Sequence, residues 1–179
     1  MKFTDVSRSD WFYESVGYVF ENGLMNGITE TSFAPNATTT RGMIVTILYR
    51  LEGAPKISGK CPFVDVASGT YYEDAITWAA ANGIVNGYGE SFGPEDSITR
   101  EQLAAIIYRY AKYCGRSLSA NADLSEYSDA GQVSSYAAAA MEWSVSEGLI
   151  SGRSATTLAP TGTAARAEVA AILMRFCKG

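Results

Sequence analysis

The sequence repeats one pattern three times, and this repetition limits the folds that the chain can adopt. The glycines that recur at intervals of 60 and 65 residues are Gly27, Gly87 and Gly152. The arginines that recur at nearly the same intervals are Arg41, Arg100 and Arg166. Because other residue types keep their places between these anchors, the chain consists of three copies of one unit. We place the units at residues 1–53, 61–114 and 125–177, with polar or Gly-, Pro- and Ser-rich linkers between them.

Each unit has the pattern helix, glycine-containing loop, helix. It opens with an aromatic residue and an aspartate, and the aspartates are Asp5, Asp65 and Asp129. A first amphipathic helix follows and is predicted to stop at a left-handed glycine, namely Gly23, Gly83 or Gly148. The motif arginine then begins a second helix, for which Thr99 and Gln102 predict a capping box in the second unit. Strand patterns are weak, so the fold is predicted to be all-α or nearly so.

A two-helix unit has one apolar face that it cannot bury alone. Units of this kind need about three copies to be stable. They can stack as an open solenoid, or they can close around a pseudo-threefold axis with one helix of each unit in a central bundle. The residues leave both arrangements open.

The composition excludes several classes of function. The 19 acidic and 14 basic residues give a net charge of -5, which argues against nucleic acid as a partner. No apolar run is long enough to predict a membrane span. Histidine is absent and the three cysteines are scattered, so we predict no catalytic residue, no metal site and no cofactor. The chain does not begin like a signal peptide, which leaves a segment of a longer secreted protein or a cytosolic protein.

The motif arginines are candidate anion-binding residues. A helix N-terminus presents free amides and a positive dipole end, and a guanidinium can hold a carboxylate through two hydrogen bonds. The alternative is a structural ion pair with the aspartate of the unit. Trp78 and Trp143 are predicted to be core residues, whereas packing and sugar stacking remain equally open for Trp11, Tyr71 and Tyr136. The loop glycines are predicted to supply positive φ and to let backbone approach a ligand.

Together these motifs resemble the S-layer homology repeat. The likeness is carried by Phe3 and Asp5 with their counterparts, the glycine loops, and the helix starts Thr40-Arg41, Thr99-Arg100 and Ala165-Arg166. It covers nearly the whole chain, although no unit keeps the full motif. The resemblance implies a three-pronged domain around a central three-helix bundle. It also implies a non-catalytic module that anchors a larger surface protein to the wall of a Gram-positive-type bacterium.

The ligand implied by the resemblance is an anionic secondary cell-wall polysaccharide that ends in pyruvylated N-acetylmannosamine. It would lie in grooves between the repeats. The residues expected to bind it are Arg41, Arg100, Arg166, Gly27, Gly87, Gly152, Trp11, Tyr71, Tyr136, Asp5, Asp65 and Asp129. The alternative is a protein–protein interaction module of a surface-layer assembly, and an acidic-residue glycosidase is a distant third. Because the helix that Arg100 begins keeps both capping residues, we expect the strongest site at Arg100.

Overall fold

A computed structural model describes all 179 residues and contains six α-helices and no β-strand. In chain order the helices are α1 (Tyr13–Glu21), α2 (Arg41–Leu51), α3 (Glu73–Ala81), α4 (Arg100–Tyr113), α5 (Ala138–Ser146) and α6 (Arg166–Lys178). A short 3₁₀-helix spans Ala130–Gln132. The predicted all-α class is therefore confirmed.

Local sequence accounts for the helix ends. The side chain of Thr40 accepts a hydrogen bond from the Met43 amide at the start of α2. Thr99 and Gln102 form the predicted capping box at the start of α4. The first helix of each unit is followed by a glycine with φ of 66 to 67°, at Gly23, Gly83 and Gly148, as the sequence predicts.

The first helices begin later than the apolar pattern suggests. The apolar pattern of these helices includes Trp11, Tyr71 and Tyr136 and so predicts that the three residues are helical, but each lies in the turn before its helix. The N-cap positions are Phe12, Tyr72 and Ala137, and none of their side chains caps the helix. Because none of these residues has a capping side-chain oxygen, the helical spacing of apolar residues does not mark the true start.

The helices pair between units in a ring. The first helix of unit 2, α3, packs against α2 of unit 1, and α5 of unit 3 packs against α4 of unit 2. The ring is completed where α1 of unit 1 packs against α6 of unit 3. The open solenoid is therefore wrong, and the closed pseudo-threefold arrangement is confirmed.

A triangle of backbone hydrogen bonds fixes this closure at the starts of the arginine-led helices. The Thr39 amide donates to the Ala164 carbonyl (3.1 Å), the Ala164 amide to Ile98 (2.9 Å), and the Ile98 amide to Thr39 (2.9 Å). Each unit thus gives one bond and receives one.

The three arginine-led helices form the centre of the domain. Their inner side chains are fully or almost fully buried: Ile44, Leu48, Leu103, Ile107, Val169 and Leu173. A single apolar cluster of 42 buried residues draws on all three units. A unit on its own therefore has no complete core.

Candidate functional site

Three grooves lie between the units, and each takes residues from all three. We number a groove by the unit whose glycine loop and arginine-led helix line it. Groove 1 contains Gly27, Tyr71 and Arg166 and has a volume of about 400 Å³. Groove 2 contains Gly87, Tyr136 and Arg41 (about 500 Å³). Groove 3 contains Gly152, Trp11 and Arg100 (about 280 Å³). Nine of the twelve residues that the sequence analysis proposed for ligand binding therefore lie in the grooves, three in each.

Each motif arginine reaches into the following unit. The Nε of Arg41 donates to the Phe92 carbonyl (2.9 Å), and its Nη2 donates to Asn86 (3.3 Å). Arg100 makes the corresponding bonds to Leu158 (2.8 Å) and Ser151 (2.6 Å). In each case the guanidinium of one unit is held by the carbonyls of the next glycine loop, so the arginine locks two units together.

Arg166 completes the cycle. Its Nε donates to the Phe33 carbonyl (2.8 Å) and its Nη2 donates to Asn26 (2.5 Å). The three motif arginines are 4 to 8% exposed. Burial lowers the pKa of Arg41 and Arg166, because desolvation disfavours the charged form.

The first helical amides are not free to bind a ligand. The Arg100 amide donates to the Gly162 carbonyl (2.9 Å), and the Glu101 amide donates to Pro160 (2.9 Å). The starts of α2 and α6 show the same pair of bonds to the next unit. The amides thus help to close the ring, and our expectation of an anion held by free helix-start amides is wrong.

The aspartates lie outside the grooves. Asp65 accepts the amides of Phe92 and Gly93 (both 2.8 Å) in the loop of its own unit. Asp5 and Asp129 accept the corresponding loop amides of their units. No aspartate forms an ion pair with a motif arginine. Instead both residues are hydrogen-bonded to Phe92: Asp65 accepts a bond from the Phe92 amide, and Arg41 donates a bond to the Phe92 carbonyl.

The groove glycines are required by close packing. Gly27, Gly87 and Gly152 do not have positive φ, so that prediction is wrong for them. A Cβ on Gly87 would collide with the Phe63 ring and the Ser91 carbonyl. Gly27 and Gly152 face equivalent obstacles in their own units, the rings of Phe3 and Tyr127 and nearby loop carbonyls, so the aromatic residue that opens each unit packs against its glycine loop.

The aromatic residues divide as the sequence suggests. Trp78 and Trp143 are buried, as predicted. Trp11, Tyr71 and Tyr136 are 65%, 55% and 52% exposed, and each lines a groove. An exposed ring beside a buried guanidinium can lie against a sugar face while the arginine binds an acidic substituent.

Sequence reasoning missed a second arginine in every groove. Arg50, Arg109 and Arg175 lie in grooves 1, 2 and 3, each on the central helix that lines the groove. Each follows a motif arginine by nine residues in the sequence. This repeated spacing could have indicated that the second arginines line the grooves, because positions that recur in all three units are candidates for a shared role.

The family of the chain follows from comparison with known proteins. A profile described as the S-layer homology domain matches residues 2–42, 62–104 and 126–170, which is more than half of the chain. The chain belongs to the S-layer homology family. The three matched segments follow the three repeats, and each contains one groove glycine and one motif arginine.

Relatives carry the S-layer homology region within much longer proteins. An amylopullulanase of Thermoanaerobacterium thermosulfurigenes is 31% identical over 96% of this chain and 9% of its own length. A surface-layer 125 kDa protein of Lysinibacillus sphaericus is 30% identical over 93% and 14%. A cellulosome-anchoring protein of Acetivibrio thermocellus is 32% identical over 60% and 25%. The chain thus spans a quarter or less of these relatives, and what it shares with the enzyme is the non-catalytic S-layer homology region. None of its own helices has the length and apolar character that crossing a membrane requires.

One of the groove positions at which the three S-layer homology units differ is the third residue of the arginine-led helix. This residue is Met43 in groove 1, Gln102 in groove 2 and Glu168 in groove 3. Glu168 pairs with Arg100 (2.7 Å) and Arg153 (3.0 Å) and accepts the Ala165 amide (2.8 Å). Burial raises the pKa of Glu168, but these partners outweigh burial and lower the pKa overall. The grooves therefore share a plan and differ in the charge of the side chain at this position.

Proposed function

We propose that this chain is a non-catalytic anchoring module that holds a larger protein on the bacterial cell wall by binding an acidic wall polysaccharide in its grooves. The observation that carries the proposal is the threefold recurrence of a buried arginine, a close-packed glycine loop and an exposed aromatic ring in one concave site. The ligand we expect is a secondary cell-wall polysaccharide that ends in N-acetylmannosamine with a pyruvate ketal.

The chemistry of the groove suits such a sugar end. The ketal presents one carboxylate, and a guanidinium binds a carboxylate by charge-assisted hydrogen bonds of about 1.5–3 kcal/mol each. The exposed ring covers an apolar face of the sugar. Backbone of the glycine loops also lines each groove at Gly27, Gly87 and Gly152.

Local contacts must provide the attraction, because the module carries a net charge of -5 and the polymer is also anionic. Salt screens interactions beyond about 8 Å at physiological ionic strength. A contact between guanidinium and carboxylate inside a groove is much shorter. We therefore expect binding that survives physiological salt and requires the terminal carboxylate.

The test is retention of the purified module on cell walls that have been stripped of protein but keep their polysaccharide. We expect retention on walls with the ketal and none on walls that lack it. Combined replacement of Trp11, Tyr71 and Tyr136 by Ala should abolish retention, because these exposed rings line the grooves. Tyr113→Ala is the control, since Tyr113 is 41% exposed and is not among the residues that line grooves 1, 2 and 3. Equal retention on both kinds of wall would overturn the proposed carboxylate.

The same assay separates the proposal from a protein–protein interaction module. Such a module would bind surface-layer protein and would ignore stripped walls. Retention on stripped walls would therefore contradict it. The proposed location is outside the cell, on a Gram-positive-type wall, with this chain as one part of a longer surface protein.

A further inference from the structure

The ring of units has three joints, and the chain crosses only two of them. Residues 54–60 lead from unit 1 to unit 2 across the joint of α2 and α3, and residues 115–124 lead from unit 2 to unit 3 across the joint of α4 and α5. We call these segments linker 1 and linker 2. No linker crosses the joint of α6 and α1, because these helices belong to unit 3 and unit 1.

Both linkers are held by the same kind of hydrogen bond. In linker 1 the Pro55 carbonyl accepts a bond from the Tyr49 hydroxyl (2.8 Å). In linker 2 the Ser117 carbonyl accepts a bond from the indole Nε1 of Trp143 (3.2 Å). A backbone carbonyl of each linker is therefore bonded to an aromatic side chain of the joint that the linker crosses.

The linkers also share their spacing. Each begins at or directly after a glycine in the left-handed conformation, Gly53 (φ 75°) or Gly115 (φ 73°). The bonded carbonyl follows this glycine by two residues in both linkers. An aliphatic residue that packs against the core follows it by four residues at Ile57 and by three at Leu118. A glycine, a carbonyl and an aliphatic side chain at these distances thus describe a segment that covers a joint.

The aromatic residue of the first helix is buried at the two joints that have a linker. Trp78 and Trp143 are 5% and 2% exposed. Tyr18 has the same place in unit 1, since each of the three precedes its left-handed glycine by five residues. Tyr18 remains partly exposed, although tyrosine is the smaller side chain. The Lys178 ammonium lies 5.2 Å from its ring, and the Cys177 thiol lies beside its hydroxyl.

Residues before unit 1 already cover part of the third joint. The Cε of Met1 lies 3.5 Å from the place of a Cβ on Gly17, and the Lys2 ammonium lies 4.9 Å from the Phe20 ring. The end of linker 1 lies on the corresponding part of α3. What stays open is the part next to the end of α6. We call it the Tyr18 face, and its partly exposed residues are Tyr18, Met174 and Cys177.

We propose that the Tyr18 face binds the polypeptide that continues from Gly179 in a longer surface protein, and that this segment covers the joint of α6 and α1 as the linkers cover the other two. Gly179 follows α6 directly and takes the place of the glycine in the linkers. The segment that fits is extended, with an aliphatic side chain three or four residues after Gly179. Its carbonyl two residues after Gly179 would accept a bond from Tyr18, as Ser117 accepts one from Trp143.

This inference rests on the proposed function, in which the chain is one part of a longer surface protein. It adds a contact between the module and the protein that the module holds. A segment bound to both α6 and α1 would fix the direction in which that protein leaves the module. Because the segment would bridge unit 3 and unit 1, docking should also stabilise the closed ring.

Extension of the chain with its own linker sequence tests the docking site. The extended chain carries Ala-Pro-Lys-Ile-Ser-Gly-Lys, the sequence of residues 54–60, after Gly179. A matched control extension has Ser in place of its Ile. We expect the extended chain to melt roughly 2–4 °C above both the parent and the control, because the Ile covers apolar surface at the joint.

Tyr18→Ala tests whether the segment lies on the Tyr18 face. In this variant both extensions should give the Tm of the unextended variant. In Tyr113→Ala, which changes a tyrosine that packs on Trp78 instead, the gain in Tm should persist. Trypsin gives a second readout at a temperature where all chains are folded. It should cut after the first Lys of the extension more slowly in the extended parent than in extended Tyr18→Ala.

The outcomes separate this inference from the function on which it rests. Equal Tm values for the two extensions, or a gain that survives Tyr18→Ala, would overturn the inference and leave wall anchoring intact. A parent chain that sediments as a dimer, and that Tyr18→Ala converts to a monomer, would assign the face to a second copy and would also overturn it. No retention on stripped walls would overturn the proposed function, whichever result the melts give.

Discussion

The joint between α4 and α5 gives the sharpest test of how the units fit together. Glu101 is buried there at 5% exposure, and its carboxylate accepts bonds from the Ser134 amide (2.9 Å), the Ser134 hydroxyl (2.8 Å) and the Tyr136 hydroxyl (3.2 Å). The facing helix starts after the small, fully buried Ala137. This joint therefore pairs a long side chain with a small one.

The other two joints reverse the sizes. At the joint of α2 and α3, Gly42 lies against the ring of Tyr72, which a Cβ on Gly42 would approach to 3.1 Å. At the joint of α6 and α1, the corresponding residues are Ala167 and Phe12, both buried. The double change Glu101→Ala with Ala137→Phe would thus copy an arrangement that the chain already uses.

The expected magnitudes follow from these contacts. Glu101→Ala leaves the Ser134 amide and hydroxyl without their partner, at about 1–3 kcal/mol, and opens a cavity. We expect a loss of about 3 kcal/mol, or roughly 6–12 °C in Tm for a domain of this size. Ala137→Phe alone overpacks the joint and costs about 1–3 kcal/mol. In the double variant the ring fills the cavity, so the total loss should be about 2 kcal/mol rather than the sum of about 5.

Urea unfolding followed by far-UV circular dichroism would measure the free energy of unfolding for the parent, both single variants and the double variant. Glu126→Ala is the control, because Glu126 is an exposed acid of unit 3 without a hydrogen-bond partner. If the loss in the double variant equals the sum of the two single losses to within about 0.5 kcal/mol, Glu101 and Ala137 do not share one space. That result would refute the reasoning.

Three further predictions concern stability. Gly87→Ala should lower the Tm by more than Gly89→Ala, since a Cβ on Gly87 collides with its neighbours whereas Gly89 has open space and only a positive φ of 70°; a larger loss for Gly89→Ala would contradict this. Burial raises the pKa of Asp65, but bonds from two loop amides outweigh it and lower the pKa below 3.8, so its stabilisation is present above that pH and is lost on further acidification. The difference in Tm between the parent and Asp65→Ala should accordingly shrink in acid, and a constant difference would argue against the cause. A chain ending at Gly115 lacks α5 and α6, which pack on α4 and α1, so its melting should be broad or accompanied by aggregation; a sharp, reversible transition near the parent Tm would point to independent units.

Much of the local structure could be predicted from the sequence. The capping box of Thr99 and Gln102, the left-handed glycines after the first helices and the burial of Trp78 and Trp143 all depend on short-range patterns. A hydroxyl before an apolar helix, or a glycine after one, has the same physical reason in any fold. For this reason these predictions are confirmed.

The assembly of the grooves could not be predicted in the same way. Which loop Arg41 enters depends on how the ring closes, and the answer is the loop of unit 2, 45 and 51 residues further along the chain. The same closure supplies carbonyls to the helix-start amides, so the amides that we expected to be free are bonded. The role of Gly87 was missed because the ring that its Cβ would meet belongs to Phe63, 24 residues earlier in the sequence.

Three identical, separate chains could also form a ring in which each unit pairs with its neighbour. In such a homotrimer a substitution at the third residue of the arginine-led helix would appear in all three grooves at once, so every groove would have the same charge. Covalent linkage removes that constraint, because each copy of the position can change without the others. Met43, Gln102 and Glu168 show the result: the same position carries an apolar side chain in one groove, a neutral polar one in the next and an acidic one in the third.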